Sequence, residues 1–134
     1  MASRGIRTDR APAPVEGAPY RQAVAARPGE VVWVSGQVPL DPATGLLAAD
    51  DVAGQTRVCL DHVRVIVEEA GGTLSDVVKT TVYMLDLGEF AQMNAVYAMA
   101  FKDAPPARAT VGVRDLPANA KVEIEAVAVI PSRA

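Results

Sequence analysis

The chain has 134 residues, half of them hydrophobic but only 4% aromatic, and a net charge of −3. That describes one domain whose core is built from Val, Ala, Leu and Ile. No Lys/Arg cluster of the kind that neutralises phosphates is present, and the lone Cys59 and lone His62 exclude an internal disulfide and disfavour a histidine-built metal site. The N-terminus, Met1 to Arg10, carries charges and no apolar run, so no signal peptide is expected. No stretch approaches the roughly 20 apolar residues of a membrane span. The expected location is the cytoplasm.

Residues 1–19 read as an irregular arm, broken by Pro12, Pro14, Gly17 and Pro19. Tyr20 to Ala26 fits a short edge strand ended by Pro28-Gly29. Val31 to Ser35 is β-branched and aromatic, which predicts a buried strand, and Pro39 to Gly45 a loop. Asp50 and Asp51 are N-cap candidates for a helix reaching Ala70. Its apolar stripe is Val52, Cys59, Leu60, Val63, Ile66, Val67 and Ala70, and Gly71-Gly72 supplies the stop. Val77 to Leu85 reads as a strand. Asp86 caps a second helix running to about Phe101, with Phe90, Met93, Ala95, Val96, Tyr97 and Ala100 in its stripe, ended by Pro105-Pro106. Arg108 to Arg114 is a strand, Pro117 to Ala120 a turn, and Lys121 to Ile130 the last strand. The order β-β-α-β-α-β-β predicts an α+β domain over residues 20–134, with one mixed sheet and both helices on one face.

Strand alternation then sorts the two faces of that sheet. Val122, Ile124, Ala126, Ala128 and Ile130 share one side of the last strand, and Glu123, Glu125, Val127 and Val129 the other. By the same alternation Ala109, Val111 and Val113 are assigned to the apolar side, and Arg108, Thr110, Gly112 and Arg114 to the mixed side. Val78, Thr80, Val82 and Met84 oppose Val77, Lys79, Thr81, Tyr83 and Leu85. The mixed face holds charges among valines, so it is either closed by another subunit or a solvated face with scattered apolar residues. Arg108 and Glu123 are expected together on it. Arg108 is then a site residue or a structural cation paired with Glu123 or Glu125. His62 is read as a solvated residue and Cys59 as core.

Four separated blocks carry a resemblance: VSGQVPLDPATG (34–45), DVVKTTVYMLDLGEFAQMNAVY (76–97), PARATVGVRDLP (106–117) and KVEIEAVAV (121–129). In order and spacing they are similar to the RidA family, also called YjgF/YER057c/UK114. The resemblance covers nearly the whole chain after Tyr20. It implies a chorismate-mutase-like fold and a homotrimer, with three sheets in a central barrel, helices outside and active sites between subunits. It implies hydrolysis of reactive 2-imino and 2-enamino acids, such as 2-aminoacrylate, to 2-keto acids and ammonia, with no metal or cofactor.

By that resemblance Arg108 grips the substrate carboxylate, for which a guanidinium fork is suited. Glu123 positions or activates the attacking water. Gly36 lets the backbone approach the ligand, Tyr20 closes the cleft, and Asn94 matches a further family position. Thr110 stands where many members have cysteine, and its backbone is expected to orient the imine nitrogen. Tyr20 is equally read as a packing residue. The connection from Tyr97 to Pro106 is shorter than in many members, which leaves pocket size open. Deamination of a larger, aminomuconate-type substrate and non-catalytic binding of a small ligand are the alternatives. Ribonuclease or translation-inhibitor roles, attached to some members, fit poorly with the negative charge and single histidine.

Overall fold

The burial of one strand fixes the architecture. In a computed structural model, which describes residues 3–14 and 17–132, β6 (Val122–Pro131) alternates cleanly: Val122, Ile124, Ala126 and Ala128 are buried and the residues between them are only partly so. Such a strand is central, with helices on its buried side. β6 indeed pairs with two neighbours. It is antiparallel to β3 (Gly29–Gln37) on one side and to β4 (Val77–Met84) on the other. β5 (Ala107–Gly112) adds parallel to β4. The resulting mixed sheet has the order β3-β6-β4-β5.

Both helices cover the same face. α1 (Val52–Glu69) begins at Asp51, whose carboxylate accepts from the Gly54 N–H at 2.8 Å. It packs on β6 and β3 through Val52, Cys59, Leu60, Val63 and Val67. It stops as expected, with Gly71 at φ +100° and the Gly72 N–H donating to the Val67 carbonyl at 3.0 Å. α2 (Phe90–Ala100) packs against α1. Asp86 caps the short turn of 3-10 helix before it, accepting from the Gly88 N–H at 2.8 Å. Among the described residues no helix is long and apolar enough to cross a membrane.

The strand expected to be buried over Val31 to Ser35 buries only Val34, with Val31, Trp33 and Ser35 exposed on the helix-free side. Four further expectations change. The arm is not irregular throughout: Ser3–Ile6 forms β1, which pairs antiparallel with β2 (Ala23–Ala26) in a small second sheet. The Gln22 amide ties the arm between them, accepting from the Thr8 N–H at 2.7 Å and donating to the Pro12 carbonyl at 2.9 Å. Proline and glycine spacing gives no hint of a pairing this distant in sequence. Second, Ile66 and Ala70 leave the α1 stripe for the surface, and Gln55 and Thr56 enter it. The Gln55 amide is satisfied there, accepting from the Lys121 N–H at 2.8 Å and donating to the Ala49 carbonyl at 3.1 Å. Third, Ala95, assigned to the α2 stripe, is exposed. Fourth, the ladder shifts register between Val77 and Lys79, so Val77 turns into the core instead of sharing a face with Lys79.

Candidate functional site

Sheet register decides where the site residues stand, and it overturns one expectation. Arg108 pairs with Thr80 on β4. The Thr80 hydroxyl is buried beneath α2, 2.6 Å from the Tyr97 hydroxyl. Arg108 therefore points to the helix side, with Thr110, and Ala109 and Val111 point away. Glu123 pairs with Tyr83 on the helix-free side. Arg108 and Glu123 thus do not share a face. Alternation fixes parity within a strand; only the register between strands fixes which parities agree. Edge strand β5 carries its apolar Ala109 and Val111 outward because Arg108 has a polar partner on α2.

That partner is Asn94, whose Oδ1 accepts from Arg108 Nη1 at 2.7 Å. Three aromatic rings surround the guanidinium carbon: Tyr97 at 4.6 Å, Tyr20 at 5.2 Å and Phe90 at 5.5 Å from their centroids. Phe90, Asn94 and Tyr97 lie at i, i+4 and i+7 on α2, one face of a helix. Tyr20 arrives from the other side, because the next residue bridges to β5: the Arg21 N–H donates to the Pro106 carbonyl at 3.2 Å. Among the described residues no carboxylate is in ion-pair range of Arg108. Burial lowers its pKa, yet a guanidinium remains charged at neutral pH. Burial pushes the Tyr97 phenol up to about 12, so it stays neutral. The result is a caged cation with one donor fixed on Asn94 and others open to an anion.

The second group of residues lies across the sheet. A Cβ at Gly36 would clash with the far end of the Glu123 side chain, so the carboxylate rests directly against the Gly36 backbone and a larger residue there must displace it. The irregular end of β3, where its register slips between Val34 and Gln37, presents Gly36 in this way. The two glutamates of β6 differ. Glu125 accepts from the Tyr83 hydroxyl at 2.7 Å, which raises the Tyr83 pKa. Glu123 has no such partner among the described residues. Beneath it Cys59 is core, its thiol 3.6 Å from the Val122 carbonyl. Burial and then the Glu123 charge push that thiol up to about 12.

Of the six expected site residues, Arg108, Asn94 and Tyr20 meet at the β5 edge, and Gly36 and Glu123 meet at the β3 edge. Thr110 follows Arg108 on the helix side, its buried Oγ1 without a hydrogen-bond partner among the described residues. Phe90, Tyr97 and Thr80 were not singled out as site residues, although their helical spacing and the register place them around Arg108. His62 is not solvated: it is half-buried, with Nε2 2.7 Å from the Leu40 carbonyl. Among the described residues no group of three or more His, Cys, Asp or Glu is gathered as around a metal ion.

Residues 8–130 match the family model for endoribonuclease L-PSP. The chain belongs to that family, the RidA/YjgF family. A RutC family protein of Pyrococcus abyssi is 44% identical, the match covering 96% of this chain and 98% of the relative. The 2-iminobutanoate/2-iminopropanoate deaminase of Escherichia coli is 46% identical, over 95% of this chain and 98% of its own. The crystal structure of E. coli TdcF with bound serine superposes with a TM-score of 0.71 at 40% identity, over 96% of this chain and 99% of that one. The two helices and mixed sheet described above are thus those of RidA-family structures.

Proposed function

We propose that this RidA-family chain is a hydrolytic deaminase of 2-imino and 2-enamino acids, acting as a chorismate-mutase-like homotrimer whose sites lie between subunits. One observation carries the reading. On edge strand β5 the chain holds a caged guanidinium, and on inner strand β6 a carboxylate that rests against Gly36 of the opposite edge strand; the two are on opposite faces and neither has an ion-pair partner among the described residues. Arg108 is level with Ala126, three residues along β6 from Glu123 and two strands across, about 10 Å in each direction and about 14 Å in all. The two groups serve one small substrate only if the Arg108 edge of one copy meets the Glu123 edge of another. The helix-free face favours such contact: it exposes Trp33 by 77% and Val31 by 45%. A relative named as an imine deaminase and a solved relative with bound serine support a site for small amino-acid-derived ligands.

The chemistry follows from the two groups. Arg108 grips the substrate carboxylate through its open donors, with Asn94 holding the fork's orientation. Glu123 takes a proton from water as the water oxygen bonds to the imine carbon. The C=N pair becomes a lone pair on nitrogen, which takes up a proton. The carbinolamine then loses ammonia as its O–H proton departs and C=O forms. An enamine first gains a proton at its terminal carbon. The Thr110 backbone lies two residues from Arg108 and orients the nitrogen.

The test generates imines with an amino-acid oxidase and traps the remainder with semicarbazide. Wild type is expected to accelerate imine loss, and Arg108→Ala and Glu123→Gln are expected to lose that ability. Refolding the two variants together should restore roughly a quarter of the sites, those pairing an intact arginine with an intact glutamate. Two active single variants would sink the reading; an inactive mixture would sink the shared site.

A further inference from the structure

Tyr20 reaches Arg108 from a stretch with no regular structure of its own, just ahead of β2. A ring on a loose segment would give up its contact to chain entropy, so the segment has to be held. The next two residues show how. β1 and β2 pair from Ser3↔Ala26 to Ile6↔Ala23. Two steps further, the same register would set Thr8 opposite Arg21. Arg21 is turned elsewhere: it bridges in parallel to Ala107, beside Arg108, and its N–H donates to the Pro106 carbonyl at 3.2 Å. At this residue the chain leaves the small sheet for the edge of the large one, and Thr8 loses its place in the ladder.

The Gln22 side chain fills that place. Its Oε1 accepts from the Thr8 N–H at 2.7 Å, and its Nε2 donates to the Thr8 carbonyl at 3.1 Å. A primary amide carries the same donor and acceptor as a peptide group, so it substitutes for the missing strand partner. The same nitrogen reaches the Ala11 carbonyl at 3.2 Å and the Pro12 carbonyl at 2.9 Å. The Arg21 side chain meanwhile lies over Gly5 of β1, where a Cβ would come within 2.8 Å of its Cδ. The arm is thus fastened to the two residues that follow Tyr20, and their backbone sets where the Tyr20 ring stands.

Resting on the reading of Arg108 as the carboxylate receptor, we propose that Gln22 is a positioning residue for that receptor. By fastening residues 8–12 to the Tyr20 segment, it keeps the ring over the guanidinium and the fork turned toward the substrate carboxylate. Gln22 itself meets no substrate. It acts on binding of the carboxylate, which imino acid and keto acid share, and leaves the chemistry at the imine carbon alone. One ring of such a cage at a half-exposed site changes binding by about 2- to 5-fold.

Pyruvate binding is measured by calorimetry and alanine-imine hydrolysis by the semicarbazide trap, with oligomeric state and Tm recorded for each protein. Gln22→Glu keeps the size and the acceptor for the Thr8 N–H but sets a carboxylate against three carbonyls. Gln22→Ala removes the whole amide. Both are expected to weaken pyruvate binding and raise KM about 3- to 5-fold, with kcat within about 2-fold of wild type. Tyr20→Ala should lose as much. Adding Gln22→Ala to Tyr20→Ala should then change pyruvate binding by less than about 1.5-fold, while still lowering Tm as it does in wild type. A residue with a purely structural role would weaken binding by the same factor in both backgrounds, and that result overturns the proposal. Unchanged binding in both Gln22 variants overturns it too, as does a wild type that binds no pyruvate, or a Gln22 variant that falls apart into monomers. Pyruvate binding that depends on Gln22 only when Tyr20 is present, without imine hydrolysis by wild type, keeps the positioning role and rejects the deaminase reading.

Discussion

The Arg108 edge and the Glu123 edge achieve different things with similar means. At the Arg108 edge a cation is surrounded: three rings, an amide and the Tyr20 segment hold it in one pose. At the Glu123 edge an anion is uncovered: the neighbouring residue is reduced to glycine and Glu125, not Glu123, takes the Tyr83 hydroxyl. A carboxylate receptor gains from rigidity, because a bidentate fork is oriented or useless. A base that must meet water gains from an open side. The contrast predicts that the Arg108 edge fails through geometry and the Glu123 edge through protonation.

The largest effect is expected at Arg108. Truncation to alanine removes two charge-assisted hydrogen bonds and should lower kcat/KM by about 100- to 1000-fold, chiefly through KM. Lysine keeps the charge and loses the fork, so it should recover only part of this. Steady-state hydrolysis of alanine imine, with the oligomer checked by light scattering, measures both. A lysine variant with full activity would show that charge alone suffices. Next comes Glu123→Gln, expected to lower kcat by about 100-fold with a smaller change in KM. A comparable rise in KM instead would make Glu123 a binding group. Gly36→Ala should resemble Glu123→Gln at lower amplitude, about 10-fold in kcat, because the new methyl pushes the carboxylate aside. An unchanged kcat would mean that the exact seat of the carboxylate is unimportant.

Much of this fold is legible in the amino-acid sequence. The two helices, the Asp51 cap, the stop at Gly71 and the succession of the four long strands along the chain follow from periodicity and punctuation. What was not readable required distance in space. The pairing of Ser3–Ile6 with Ala23–Ala26 joins segments separated by prolines. The side of the sheet taken by Arg108 depends on its register with Thr80, which alternation along β5 cannot supply. Val77 turned inward because of a single register slip. Ile66 looks like a core residue by spacing, and one step around the helix brings it to the surface. Phe90 and Tyr97, which flank the expected Asn94 at i, i+4, i+7 on one helix face, carry a local signal for a cage around a nearby cation.

A smaller effect tests how the cation is held. The buried Tyr97–Thr80 hydroxyl pair, 2.6 Å apart, pins the ring closest to Arg108. Tyr97→Phe keeps the ring and frees its edge, so KM should rise a few-fold at constant kcat, with about 1–2 kcal/mol of stability lost through the unpartnered Thr80 hydroxyl. Thr80→Val leaves the phenol unpartnered and should do the same; the double variant, with neither hydroxyl left buried alone, should recover much of the stability. If KM stays put while stability falls, the pair is structural only.

The smallest effect separates the two edges by sign. Each has a neutral, buried titratable group below it. Burial raises the Cys59 thiol from 9.0 to about 12, and the Glu123 charge adds to that rise. Burial raises Tyr97 from 10.0 to about 12, and the Arg108 charge opposes it. Both groups are neutral in the native state and ionise earlier when unfolded. Their stabilisation is fully present below about pH 9 and is lost as pH climbs toward about 12. Removing one charge at a time splits them. Glu123→Gln should lower the Cys59 pKa, and Arg108→Ala should raise that of Tyr97, both followed by ultraviolet absorbance of the native protein at alkaline pH. Shifts in the same direction would mean that repacking, not the lost charge, dominates at one of the two edges.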